Sequence, residues 1–244
     1  MVMQLGETDR DIYVFDSAGD VAAAAAELFV GEAQRCYLER GRFVAALSGG
    51  STPRGMFRIL ADVYRGDVPW EHTHLFWGDE RVVPLDDPQS NYAMARETLL
   101  DHVPVDDENV YPVPVHLDTP GDAAAAYEIT IRAFYEGGLP SFDLALLGMG
   151  EDGHTASLFP RTGALQEREA IVVATVSPVA PRDRVTLTLP VINASTQICV
   201  VVAGASKRAI LRTVLAGDEG RVDLPASLIR RDATWYVDEA AYGD

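Results

Sequence analysis

Phe142-Asp143-Leu144-Ala145-Leu146-Leu147 leads directly into Gly148-Met149-Gly150-Glu151-Asp152-Gly153-His154-Thr155-Ala156-Ser157, and the reading of this stretch decides the fold. The apolar run from Phe142 to Leu147, closed by glycines, predicts a buried strand entering a tight turn. Asp152 and His154 then emerge together at the strand's C-terminal end, which in an open parallel sheet is where ligands bind. Histidine is the side chain best suited to moving a proton near neutral pH once a neighbour fixes its orientation, and Asp152 lies two residues away.

Outward from this stretch, strand-length apolar runs alternate with helical patterns. Ile12 to Phe15, Phe43 to Leu47, His74 to Trp77, Ile171 to Val176, Arg184 to Leu189, Ile198 to Ala203 and Trp235 to Val237 read as strands. Helices are expected at Val21 to Glu39, from Thr52-Pro53 to Tyr64, and at Asn91 to Leu100, Asp122 to Tyr135 and Lys207 to Leu215. Proline suits the first turn of the second helix because its missing N–H would be unpaired there anyway. Such alternation implies parallel pairing through right-handed crossovers, giving an α/β fold: a three-layer α/β/α sandwich around a mostly parallel, Rossmann-like sheet. No repeat or Pro/Gly/Ser linker divides the chain, so one domain over residues 1–244 is expected, with an irregular proline-rich part from Pro104 to Pro120.

With 244 residues, 48% of them hydrophobic, the chain can bury a large core. Lys and Arg number 20 against 37 Asp and Glu, a formal charge of −17. That field repels nucleic acid and anionic membranes, and neither is an expected partner. It would also repel a phosphorylated small molecule, so a site for one must concentrate Arg and Lys locally. The first residues lack a basic segment followed by an apolar core, and no apolar run approaches the roughly 20 residues of a membrane span, which implies a soluble, cytoplasmic protein. Cys36 and Cys199 offer neither metal spacing nor a disulfide framework and are expected to be buried free thiols.

Four segments carry possible chemistry. Ser48-Gly49-Gly50-Ser51-Thr52-Pro53 is a glycine turn running into a helix N-terminus, where free N–H groups and the helix dipole favour an anion. It has neither the Gly-Lys-Ser/Thr of a Walker loop nor a dinucleotide fingerprint, and by itself it reads equally as a plain strand-to-helix turn. Gly78-Asp79-Glu80-Arg81 places three charged residues at the mouth of another strand. Asp152 and His154 form the third group; no further histidine or carboxylate completes a metal site with them, and neither metal nor cofactor is expected. Arg184, within Arg182-Asp183-Arg184, and Lys207 after Ser206 could clamp a phosphate, one as a fork and the other as a point charge. His72, His74, His102 and His116 lie outside these turns and receive no role.

Together with Val82-Val83-Pro84, Ser90-Asn91-Tyr92, Leu158-Phe159-Pro160, Val185 to Pro190 and Ile192-Asn193, these segments resemble the 6-phosphogluconolactonases, in order over most of the chain. The resemblance implies hydrolysis of a phosphorylated sugar lactone, 6-phospho-D-glucono-1,5-lactone, to 6-phospho-D-gluconate, the second step of the oxidative pentose phosphate pathway. It further implies no cofactor, His154 as the base that activates water, and Asp152, Arg81 and Asp79 beside it. Asp152 either orients His154 or holds sugar hydroxyls, and Arg81 either binds phosphate or stabilises the oxyanion. Ser48, Gly49, Gly50, Ser51, Thr52, Arg184 and Lys207 would receive the phosphate. A monomer or weak dimer is expected.

The related glucosamine-6-phosphate deaminases are the alternative. They carry a glutamate five residues after the histidine, where this chain has Phe159, and Asp-Glu-Tyr where it has Asp79-Glu80-Arg81. Both departures favour lactone hydrolysis, which does not need an isomerase's acid-base relay. A non-catalytic sugar-phosphate-binding regulatory domain is a further alternative, but it would have no use for the Asp152/His154 pair.

Overall fold

Ser17 opens the first helix by accepting the N–H of Asp20 on its hydroxyl, and Gly41, at φ +75°, closes it in the left-handed conformation that glycine adopts without cost. This helix, α1 (Ala18–Arg40), buries a stripe of small residues, Ala22, Ala25, Ala26 and Ala33, so that it packs close to the sheet. The computed structural model describes residues 3–5, 10–216 and 223–243.

The sheet contains β1 (Met3–Leu5), β2 (Asp11–Phe15), β3 (Phe43–Leu47), β4 (Thr73–Trp77), β6 (Val110–Tyr111), β7 (Leu144–Gly148), β10 (Gln197–Val202) and β11 (Thr234–Asp238), in the order β1-β2-β11-β10-β7-β3-β4-β6. All neighbours run parallel except β1 against β2. From β3 the chain steps outward to β4 and β6, then returns to the other side of β3 and steps away through β7, β10 and β11. The reversal lies between β3 and β7, whose ladder covers only Ala45↔Leu144 and Ala46↔Ala145. A crevice is therefore left outside their C-terminal ends, the usual place for a ligand in such sheets. The connecting helices are α2 (Ser51–Asp62), α3 (Asn91–Thr98), α4 (Pro120–Phe134), α5 (Leu189–Ala194), α6 (Arg208–Leu215) and α7 (Glu239–Tyr242).

Two stretches differ from what the sequence predicts. Ile171–Val176 and Arg184–Leu189 do not join the parallel sheet. They give β8 (Val172–Val176) and β9 (Asp183–Leu187), which form with β5 (Asp79–Arg81) a separate antiparallel sheet ordered β5-β9-β8. The connection from Val176 to Asp183 is a hairpin, too short for a parallel crossover. Leu189 already belongs to α5, which has Pro190 in its first turn. The run before the opening glycines is also not apolar throughout. Asp143 is buried just ahead of β7, accepting the Val44 N–H at 2.9 Å and pairing with Arg40 at 2.7 Å. Burial pushes its carboxyl up, against these partners. It ties the N-terminal ends of β3 and β7 together, opposite the crevice.

Tyr127 on α4 does similar work for β4. Gly78 gives its N–H to Leu47 in β3, so the N–H and C=O of Trp77 face the other way, toward a neighbouring strand β6 that has already ended. The buried Tyr127 hydroxyl replaces it, accepting Trp77 N–H at 2.8 Å and donating to Trp77 O at 3.1 Å. Cys36 and Cys199 are buried free thiols, as expected. Among the described residues no helix is long and apolar enough to cross a membrane.

Candidate active site

The turn after β3 presents a helix N-terminus without a cap. Gly50, at φ +105°, precedes α2, and among the described residues no side chain caps its first-turn N–H groups. Free N–H groups and a helix dipole in such a place favour an anion. Gly49 has another reason to be glycine: a Cβ there would overlap the side chain of Asn91. Asn91 is buried, and its amide donates to Asp79 O at 2.9 Å.

The turn after β7 is closed by Gly150 N–H to His154 O at 2.8 Å and Gly153 N–H to Gly150 O at 3.1 Å. Asp152 Oδ1 accepts twice from one residue, from the backbone N–H of His154 at 3.1 Å and from its ring Nδ1 at 2.5 Å. An ionised carboxylate can only accept, so in the neutral ring Nδ1 carries the proton and Nε2 keeps its lone pair. Burial pushes the Asp152 carboxyl up, but the His154 N–H and the imidazole outweigh it and hold the group below the usual carboxylate range. Phe159, buried, lies against the imidazole with ring centroids 4.8 Å apart.

The antiparallel sheet brings the arginines in. Arg81 on β5 and Arg184 on β9 stand directly opposite one another, and like charges so placed repel. Arg184 is buried, with its Nε donating to Pro181 O at 2.9 Å. Burial and then the nearby Arg81 lower its affinity for its proton, while Asp79 and Glu80 act in the opposite sense. Arg81 donates through one terminal nitrogen to Gln89 O at 2.5 Å, and its buried Nε has no partner among the described residues. Asp79 is buried and accepts the Ser157 hydroxyl at 2.6 Å.

Glu80 corrects the expectation of three charges at the mouth. It is fully buried, accepting backbone N–H groups from Arg81 and Asn91 at 2.7 Å and Tyr92 at 2.8 Å, and the Ser90 hydroxyl at 3.0 Å. Burial pushes its carboxyl up. Its work is to anchor β5 to the start of α3. Lys207 ends a helical turn after β10, where Gly204 N–H is held by both oxygens of Asp238 at 2.9 and 3.1 Å.

A cavity of about 300 Å³ collects these parts. Ser48, Gly49, Gly50, Ser51, Thr52, Asp79, Arg81, His154, Arg184 and Lys207 line it, and Asp152 stands behind His154 rather than on the wall. The sequence reading did not assign site roles to Asn91, Ser157, Phe159, Ser177 or Val179, which also line it. Asn91 reads as an ordinary first residue of a helix and Ser157 as a turn residue; only the crossing of distant loops gives them their places. Among the described residues no group of three or more His, Cys, Asp or Glu side chains is placed to hold a metal ion.

The arrangement sets an imidazole bonded to Asp152 beside the uncapped N-terminus of α2, in a chain whose overall charge is strongly negative. Residues 16–237 match the model of the family described as glucosamine-6-phosphate isomerases/6-phosphogluconolactonase. The chain is 40% identical over 237 residues to a 6-phosphogluconolactonase of Nostoc sp., covering 95% of this chain and 97% of the relative. Among solved structures, the 6-phosphogluconolactonase from Trypanosoma cruzi superimposes with a TM-score of 0.83 at 29% identity, with 95% of each chain covered. A monomeric glucosamine-6-phosphate deaminase shares the fold, with a TM-score of 0.81 at 20% identity over 94% of this chain and 98% of that one.

Proposed function

The chain belongs to the glucosamine-6-phosphate isomerase/6-phosphogluconolactonase family, and from that premise we propose that it hydrolyses 6-phospho-D-glucono-1,5-lactone to 6-phospho-D-gluconate as a single cytoplasmic catalytic domain. The observation that carries this reading is one cavity lined both by His154, backed by Asp152, and by the uncapped N-terminus of α2 with Arg184 and Lys207.

A δ-lactone carbonyl is already electrophilic, so the work left is to orient it, activate water and stabilise the oxyanion. His154 Nε2 takes a proton from water as its oxygen bonds to the carbonyl carbon. When the tetrahedral intermediate collapses, the bond from that carbon to the ring oxygen breaks and the proton passes from His154 to the departing oxygen; the new acid ionises in solution. Asp152 keeps Nδ1 protonated and stabilises the transient imidazolium. The 6-phosphate sits at Gly49 to Thr52 with Lys207 and Arg184. Because Arg81 lies opposite Arg184, both arginines act on the same negative group.

The test is acid release from lactone generated in situ by the purified protein, measured against spontaneous hydrolysis. Acceleration is expected; none, with ammonia released from glucosamine 6-phosphate instead, would move the chain to the deaminase branch. Sugar-phosphate binding without turnover of either compound would make it a regulatory domain.

A further inference from the structure

Two glycines bracket Asp152, and they are glycine for different reasons. Gly153 sits at φ +79°, where the backbone itself favours glycine. Gly150 lies outside the left-handed region, so its backbone makes no such demand. What it lacks is room. A Cβ at Gly150 would overlap Nδ1 and Cε1 of His154 and stand 2.7 Å from Asp152 Oδ1, the atoms at and beside the histidine–aspartate bond. Neither partner can easily retreat. Gly150 N–H is bonded to His154 O at 2.8 Å, so the backbone that would carry the methyl is tied to the residue it would strike. The ring is met by Phe159, inclined at 48° to it with centroids 4.8 Å apart.

We propose that Gly150 is a positioning residue for proton transfer: the space left by its missing side chain, with the Phe159 ring beside it, holds the His154 imidazole on Asp152 with Nε2 toward the cavity. This rests on the reading of His154 as the base, but its structural half can be tested apart from that reading. A methyl at Gly150 turns the ring about its side-chain torsions, breaks the Nδ1 bond and carries Nε2 away from the lactone carbonyl. The phosphate seat on the other loops is untouched.

Gly150→Ala should therefore lower kcat by about 10²-fold, the usual worth of a positioned general base, with KM changed less than about twofold. Long-range ¹H–¹⁵N spectra of the imidazole should show the Nδ1-protonated tautomer in the wild type and its loss in the variant. In a His154→Ala background the same Gly150→Ala change should cost little in rate or melting temperature, because the ring it strikes is gone and the Asp152 carboxylate, no longer held by Nδ1, can turn aside. That double variant also serves if Gly150→Ala alone fails to fold: recovery of folding when His154 is removed supports the proposal, and continued failure overturns it. A kcat within about threefold of wild type with an unchanged imidazole spectrum would likewise overturn it. If the wild type lacks lactonase activity the functional reading fails, and the imidazole spectra still decide whether Gly150 sets the ring.

Discussion

Asp152→Asn keeps the side chain's shape and removes its charge. Asp152 Oδ1 receives both the backbone N–H and the ring Nδ1 of His154, at 3.1 and 2.5 Å. An amide oxygen in that place still accepts both, whereas the turned-over amide would set its own N–H groups against two donors. The variant therefore keeps the ring's orientation and loses mainly the stabilisation of the imidazolium formed as water is deprotonated. In serine-protease triads, where the carboxylate is buried, this exchange costs about 10⁴ in kcat. Here the Asp152 side chain is 41% exposed, so water screens the charge. We expect kcat to fall about 10- to 10²-fold, or about 1.4 to 2.7 kcal/mol of barrier, with KM within about twofold of wild type. The lowered Asp152 carboxyl also fixes a sign in stability. Its contribution is present above the unfolded value of about 3.9 and is lost as pH falls through the folded value, so the melting difference between wild type and variant should shrink below about pH 4. Initial rates of acid release, corrected for spontaneous hydrolysis, and melting curves at several pH values measure both effects. An unchanged kcat would refute the assignment of Asp152 as the group that stabilises the imidazolium formed on the base.

Tyr127→Phe leaves the buried N–H and C=O of Trp77 without their partner, which should cost about 2 to 4 kcal/mol and lower the melting temperature by about 4 to 16 °C; calorimetry showing less than about 1 °C would remove the hydroxyl from its place as a substitute strand. Lys207→Ala should raise KM about tenfold by loss of a charge-assisted phosphate contact and leave kcat nearly unchanged, so an unaltered KM in steady-state kinetics would place the lysine away from the phosphate.

The main sheet was legible because its signal is local: β3, β4, β7 and β10 are short apolar runs ended by glycine or polar turns, and a parallel sheet buries such runs on both faces. The antiparallel sheet was not legible as a separate unit. Asp79–Arg81 reads as a charged turn, and its partner strand lies roughly a hundred residues later, so no local pattern announces the pairing of Arg81 with Arg184. Glu80 shows the same limit from another side. An acid in a turn ordinarily reads as solvated, and its burial is decided by the N–H groups of α3, eleven and twelve residues on. Ser90, a good helix cap ahead of Asn91, was the available hint. The motif Gly148 to His154 announced a site, but the letters alone do not separate a glycine needed for φ, Gly153, from one needed for space, Gly150.

The central claim is that His154, held by Asp152, hydrolyses a phosphorylated sugar lactone in the crevice between β3 and β7. Its most direct measurement follows the disappearance of 6-phospho-D-glucono-1,5-lactone by ³¹P NMR under matched conditions with the wild type, with His154→Ala, and without protein. Rapid loss with the wild type and a rate lower by about 10²-fold or more with His154→Ala are expected; a His154→Ala protein that consumes the lactone as fast as the wild type would contradict the account.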